Sequence, residues 1–151
     1  MNQLNKIKIM ALCLWVGGLF MIGGLVAPVL FMNLPDKMTA GMLAGKCFDI
    51  QTWVNLACAV LIFLVMLLEN QSHTFKKAGF WLLLIMVVCV VVSQFGITPI
   101  IEQLKAGRVP DAHGSLGPEF AKWHGISSSI YWLQALLGVL LIWNQVPRRA
   151  D

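Results

Sequence analysis

Residues 80–101 read FWLLLIMVVCVVVSQFGITPII, an apolar stretch without one charged side chain. At a helical rise of about 1.5 Å per residue, such a stretch crosses roughly 30 Å of hydrocarbon. Three further runs match it: Ile9 to Phe31 and Trp53 to Leu68 before it, and Trp123 to Trp143 after it. Lipid offers no hydrogen-bond partner to an open backbone, so each run is expected to be a helix that satisfies its own N–H and C=O groups. The expected fold is all-α, an integral membrane four-helix bundle forming one domain over residues 1–151, with spans at about 9–31, 53–68, 80–101 and 123–143. Its first partner is the lipid bilayer.

Composition agrees with that solvent. Of 151 residues, 58% are hydrophobic and only 12% charged, and the charges gather between the spans, where ionised groups escape the bilayer penalty. The net charge of +4 is therefore read as membrane orientation, because the basic residues form no stripe with interleaved aromatics of the kind that binds nucleic acid. Lys6, Lys8, Lys76, Lys77, Arg148 and Arg149 fall on one side. Lys37, Lys46, Lys105, Arg108 and Lys122 fall on the other, mixed with Asp36, Asp49, Glu102, Asp111 and Glu119. Weighting basic residues close to span ends puts both termini inside, in a bacterial inner membrane. The first run is longer than the ~7–15-residue core of a signal peptide and lacks a small-x-small cleavage site before Pro28, so it is expected to stay in the mature chain.

Within the first span, Gly17 and Gly24 stand seven residues apart, and Gly23 with Ala27 forms a small-xxx-small pair. Small residues let helix backbones approach closely, so this span is expected to pack tightly against another helix of the chain, a second copy or a membrane partner protein. Pro28 and the glycine pairs also weaken its hydrogen-bond ladder, which admits a flexible helix as the rival reading. Pro99 should break or bend the third span. The linker LPDKMTAGMLAGKCFDI, residues 34–50, suits either a short interfacial helix or an outward extension of the second span.

Polar residues converge on one depth. Helical rise puts Gln94 about 10 Å inward of Ile101 and His124 about 6 Å inward of Phe120. Asn55 enters early in the second span, Pro28 marks the first at a similar level, and Ser127 and Ser128 share the face of His124. An outward-facing polar cleft walled by Pro28, Asn55, Gln94, His124 and Ser127 follows as the expected ligand site. Asn55, Gln94 and the serines suit helix-to-helix hydrogen bonding, while His124 suits either a structural bond or a ligand. As a metal ligand it would serve haem or copper. The methionines are scattered through apolar segments, Cys13, Cys58 and Cys89 lie in spans with Cys47 in a linker, and Asp111 with His113 makes two parts of a metal site without a third. His73 reads as solvated. No phosphate loop, HExxH or nucleophile–base grouping supports an enzyme.

The APVLF segment closing the first span, the TPII segment closing the third and the FAKWHGIS opening of the fourth resemble the transmembrane-protein-205-like family across essentially the whole chain. Pro28, Phe31, Pro99, Phe120, His124, Gly125 and Ser127 carry the resemblance, and Tyr131 stands where many members have Asn. It implies four spans with no settled chemistry. A more distant similarity to copper-resistance D-type and haem-binding membrane bundles implies a metal or haem reading. The functions open at this point are binding or conducting a small ligand, a haem or copper redox role, and service as a structural subunit. The charge distribution predicts that cysteines placed in residues 70–78 are labelled from inside and those in 103–118 from outside; the reverse pattern overturns the orientation.

Overall fold

A computed structural model of the chain describes residues 3–69, 78–106 and 116–145. Every element among them is helical: α1 (Gln3–Met21), a π-helical turn (Ile22–Val26), α2 (Ala27–Asn33), α3 (Lys37–Glu69), α4 (Ala78–Val91), a second π-helical turn (Val92–Ile97), α5 (Thr98–Lys105) and α6 (Pro118–Gln145). Each π turn joins its neighbours into one continuous helix. Four helices long and apolar enough to cross a membrane result, at Gln3–Asn33, Lys37–Glu69, Ala78–Lys105 and Pro118–Asn144. The chain is thus an all-helical protein of the polytopic membrane type. His73, Asp111, His113, Lys76, Lys77, Arg108, Arg148 and Arg149 lie outside the described residues.

Successive spans run antiparallel and close into a ring, α1 against α3, α3 against α4, α4 against α6 and α6 back against α1. One end of the bundle holds the core. Trp15, Leu12, Leu19, Ile62, Met86 and Leu141 are each less than 2% exposed there. Large apolar side chains elsewhere, among them Leu25, Trp53, Val60, Val88 and Leu136, point outward, as a lipid-facing surface requires. At the other end α2 packs on α3 and α5 on α6, so the ring parts into two pairs.

The residue-34 linker extends the second span outward. Asp36 caps α3, accepting from the backbone N–H of Met38 at 3.1 Å and of Thr39 at 2.9 Å, as well as from the Thr39 hydroxyl. The Thr39 hydroxyl and then these amides stabilise the carboxylate and hold its pKa below the ordinary carboxylate value. Lys37 folds back onto the Phe31 carbonyl at the end of α2. From that cap α3 runs 33 residues, about 50 Å, and overshoots the hydrocarbon at the cavity end.

Neither proline breaks its span. At both sites the residue before the proline donates its backbone N–H five residues back, Ala27 to the Ile22 carbonyl and Thr98 to the Ser93 carbonyl. The Thr98 hydroxyl adds a second bond to the Ser93 oxygen at 3.0 Å. This wider turn relieves the clash between the proline ring and the preceding turn while keeping the helical path.

At the core end, the Lys8 ammonium and the Glu69 carboxylate pair at 2.7 Å with side chains 8% and 18% exposed. Lys8 is therefore a buried ion-pair partner. It is not a free flanking charge.

Close helix approach falls on other glycines than the seven-residue spacing suggested. Gly17 faces open space within the chain, and a Cβ at Gly24 would meet only Trp132 at 3.8 Å. A Cβ at Gly18 would instead overlap the Gln51 amide, one at Gly23 would sit 2.5 Å from the Tyr131 ring, and one at Gly138 would strike Val16. Ala27 is half-buried, one turn beyond Gly23. The α1 face turned inward is therefore that of Gly18, while Gly17 points outward. Gly23→Val and Gly138→Val are expected to lower stability by about 1–3 kcal/mol through overpacking, with Gly17→Val within about 0.5 kcal/mol of the parent. Thermal unfolding in one detergent checks this, and equal losses at all three positions would refute the assignment.

Candidate functional site

Between the two helix pairs lies a cavity of about 430 Å³. It is lined by every residue expected from sequence to wall the cleft: Pro28, Asn55, Gln94, His124 and Ser127. Both π turns contribute, through Gly23 from the first and Ser93 and Gln94 from the second.

The floor is built from amides. Gln51 and Asn55, one turn apart on α3, are 6% and 3% exposed, and the Gln51 amide nitrogen donates to the Asn55 side-chain oxygen at 2.7 Å. Gln51 also reaches across bare Gly18 toward the Trp15 carbonyl at 3.4 Å. Gln134, on α6, is 3% exposed and leaves its amide nitrogen without a partner. A buried donor in that state costs about 1–3 kcal/mol unless something accepts from it.

Tyr131 forms the seam between α6 and α1. Its hydroxyl donates to the Leu19 carbonyl at 2.6 Å, and the Gly23 backbone amide is directed at the same hydroxyl. Gly23 N–H and Leu19 C=O are the two ends of an ordinary i→i−4 helical bond, so the hydroxyl enters the ladder where the first π turn opens. Bare Gly23 makes room for the ring, and Phe48 meets that ring edge-on at 5.2 Å.

The mouth carries charge. Lys105 pairs with Glu102 on its own helix at 2.8 Å, and Gln94 donates to Asp49 across helices at 3.4 Å. His124 is exposed and stacks on Phe120 with centroids 5.6 Å apart. Its neighbours Ser128 and Ser129 turn to their own helix, donating to the His124 and Gly125 carbonyls at 2.8 and 2.9 Å. Ser128 and Ser129, expected as glue between helices, therefore serve α6 itself, and Asn55 bonds within α3. Gln94 does cross helices. Gln51, Gln134 and Tyr131 were missed from sequence, although each is a polar group within a membrane span, the signal that singled out Asn55 and Gln94.

Among the described residues His124 is the one imidazole available to a haem or a metal. Among the described residues no three His, Cys, Asp or Glu side chains gather to hold a metal ion, and the cavity wall contains neither Cys nor Met beside His124.

Residues 10–110 match a family described as a domain of unknown function, DUF4149. The chain belongs to the DUF4149 family. No curated protein and no solved structure matches it. The DUF4149 match covers α2, α3, α4, α5 and most of α1, including Pro28, Asn55 and Gln94, and ends before α6. In this DUF4149 protein the cavity wall supplied by His124, Ser127, Tyr131 and Gln134 thus lies beyond the matched region.

Removing the hydroxyl tests the seam. Tyr131→Phe is expected to cost about 1 kcal/mol for one intramolecular hydrogen bond. It should also raise the infrared amide frequency of an isotopically labelled Leu19 carbonyl. An unmoved band would mean that the hydroxyl is not that carbonyl's partner.

Proposed function

We propose that this DUF4149 protein is a single four-span domain of a bacterial inner membrane, both termini inside, whose cavity binds or conducts a small ligand reached from outside. The observation that carries the reading is the convergence of polar groups from the second, third and fourth spans on one cavity that the first span also walls, with buried amides at its floor. Its volume lies in the ~300–1,000 Å³ range of small-molecule sites. The unpaired Gln134 amide supplies a donor at the floor, and the Gln51–Asn55 pair supplies a fixed polar surface beside it. Polar side chains inside a membrane bundle are costly, and a polar recess gives them a use.

The transmembrane-protein-205-like resemblance belongs to the same proposal. Of its matching positions, Pro28, Phe31, Phe120, His124 and Ser127 line the cavity. His124 acts at the mouth through its ring, stacked on Phe120, and Ser127 lies one turn deeper. Gly17, open toward the lipid, offers a second copy or a membrane partner a place for close approach.

The test is water access. In a background with the native cysteines replaced by serine, Ser127→Cys in lipid nanodiscs is expected to react rapidly with a charged methanethiosulfonate reagent, whereas Ile62→Cys, at a core position 1% exposed, stays unlabelled. A cysteine at 127 as inert as the one at 62 would overturn the cleft.

A further inference from the structure

We propose that the cavity's ligand is a monovalent organic cation with an apolar body; this rests on the ligand-binding reading above and gives it a chemical class. Two features of the wall carry it.

The first is aromatic content. Phe31, Phe48, Phe120, Tyr131 and Trp132 all line the cavity, contributed by three different helices. Their arrangement is fixed by contacts with one another, Phe48 edge-on to Tyr131 at 5.2 Å and Tyr131 perpendicular to Trp132 at 5.9 Å. Aromatic faces carry negative quadrupole charge and attract organic cations, most strongly where water is thinned out. They also bury the hydrocarbon of such a molecule.

The second is an uncompensated carboxylate. Among the described residues, the charged carboxylate and ammonium groups of the wall are those of Asp49, Glu102 and Lys105. Lys105 is committed to Glu102, and no Lys, Arg or His pairs with Asp49 among the described residues. Among the described residues Asp49 meets the neutral Gln94 amide, at 3.4 Å. Among the described residues the wall therefore carries two carboxylates against one ammonium. An anionic ligand would be repelled by this carboxylate, exposed at the mouth, and a cation would be drawn to it. A bare metal ion lacks a ligand cluster and would leave most of the 430 Å³ and its rings unused. A single positive charge on an apolar frame satisfies both the carboxylate and the rings.

Three probes of similar shape separate charge from bulk: tetraphenylphosphonium, tetraphenylborate and neutral triphenylphosphine oxide, measured by equilibrium dialysis against the protein in nanodiscs. Tetraphenylphosphonium is expected to bind saturably and the other two only as they do to empty nanodiscs. The near-isosteric Asp49→Asn should weaken phosphonium binding by about tenfold or more, Asp49→Glu should retain it, and Phe48→Leu should weaken it without altering the charge. Borate or phosphine oxide binding as well as phosphonium, or full phosphonium affinity in Asp49→Asn, overturns the inference. Absence of saturable phosphonium binding while Ser127→Cys still labels overturns the cation class and leaves the cleft standing. Failure of that labelling removes both.

Discussion

A proline inside a membrane helix deprives a carbonyl of its amide partner and presses its ring on the preceding turn, and lipid offers no replacement hydrogen bond. Pro28 and Pro99 both impose that constraint at the same end of this bundle. Each is answered by a π turn in which the residue before the proline bonds five positions back. The helices stay continuous, so each span still crosses as one piece. Yet the wider turns place Gly23, Ser93 and Gln94 in the wall of the space between the helix pairs.

Packing divides along the same line. Toward the core end, Leu12, Trp15, Ile62 and Met86 fill the interior, and Gly138 brings α6 against Val16 and Met86. Toward the cavity end, interior positions pass to Gln51, Asn55, Tyr131 and Gln134. Their hydrogen bonds run between side chains of one helix, Gln51 to Asn55, or into backbone, Tyr131 to Leu19, and leave the Gln134 amide nitrogen free. An interior of this composition gains less from apolar contact and keeps more room for a solute.

The sequence made the four spans and the level of the polar groups legible, because hydropathy and helical rise act on single helices. The direction in which each helix turns was harder to read. In a membrane span both the lipid side and the core side are apolar, so no amphipathic stripe marks the inward face. Gly17 and Gly24 share one face by spacing, but that face looks outward, and the close contacts fall on Gly18 and Gly23. Likewise Ser128 and Ser129 had the chemistry of interhelical bonds and spend it on their own carbonyls. Tyr131 was visible only as a departure from a resembling family. Its part in opening the first π turn depends on a partner, Leu19, that lies 112 positions away in the chain.

The Lys8–Glu69 pair bears on how the bundle is made. Its two members are separated by 61 positions, so the ammonium of the first helix leaves the ribosome well before the carboxylate that neutralises it. An unpaired lysine is expensive in hydrocarbon and cheap at the interface, to which its long stem can snorkel. The pair therefore ties the start of the first span to the end of the second, so that opening the α1–α3 hairpin would leave both charges without a partner.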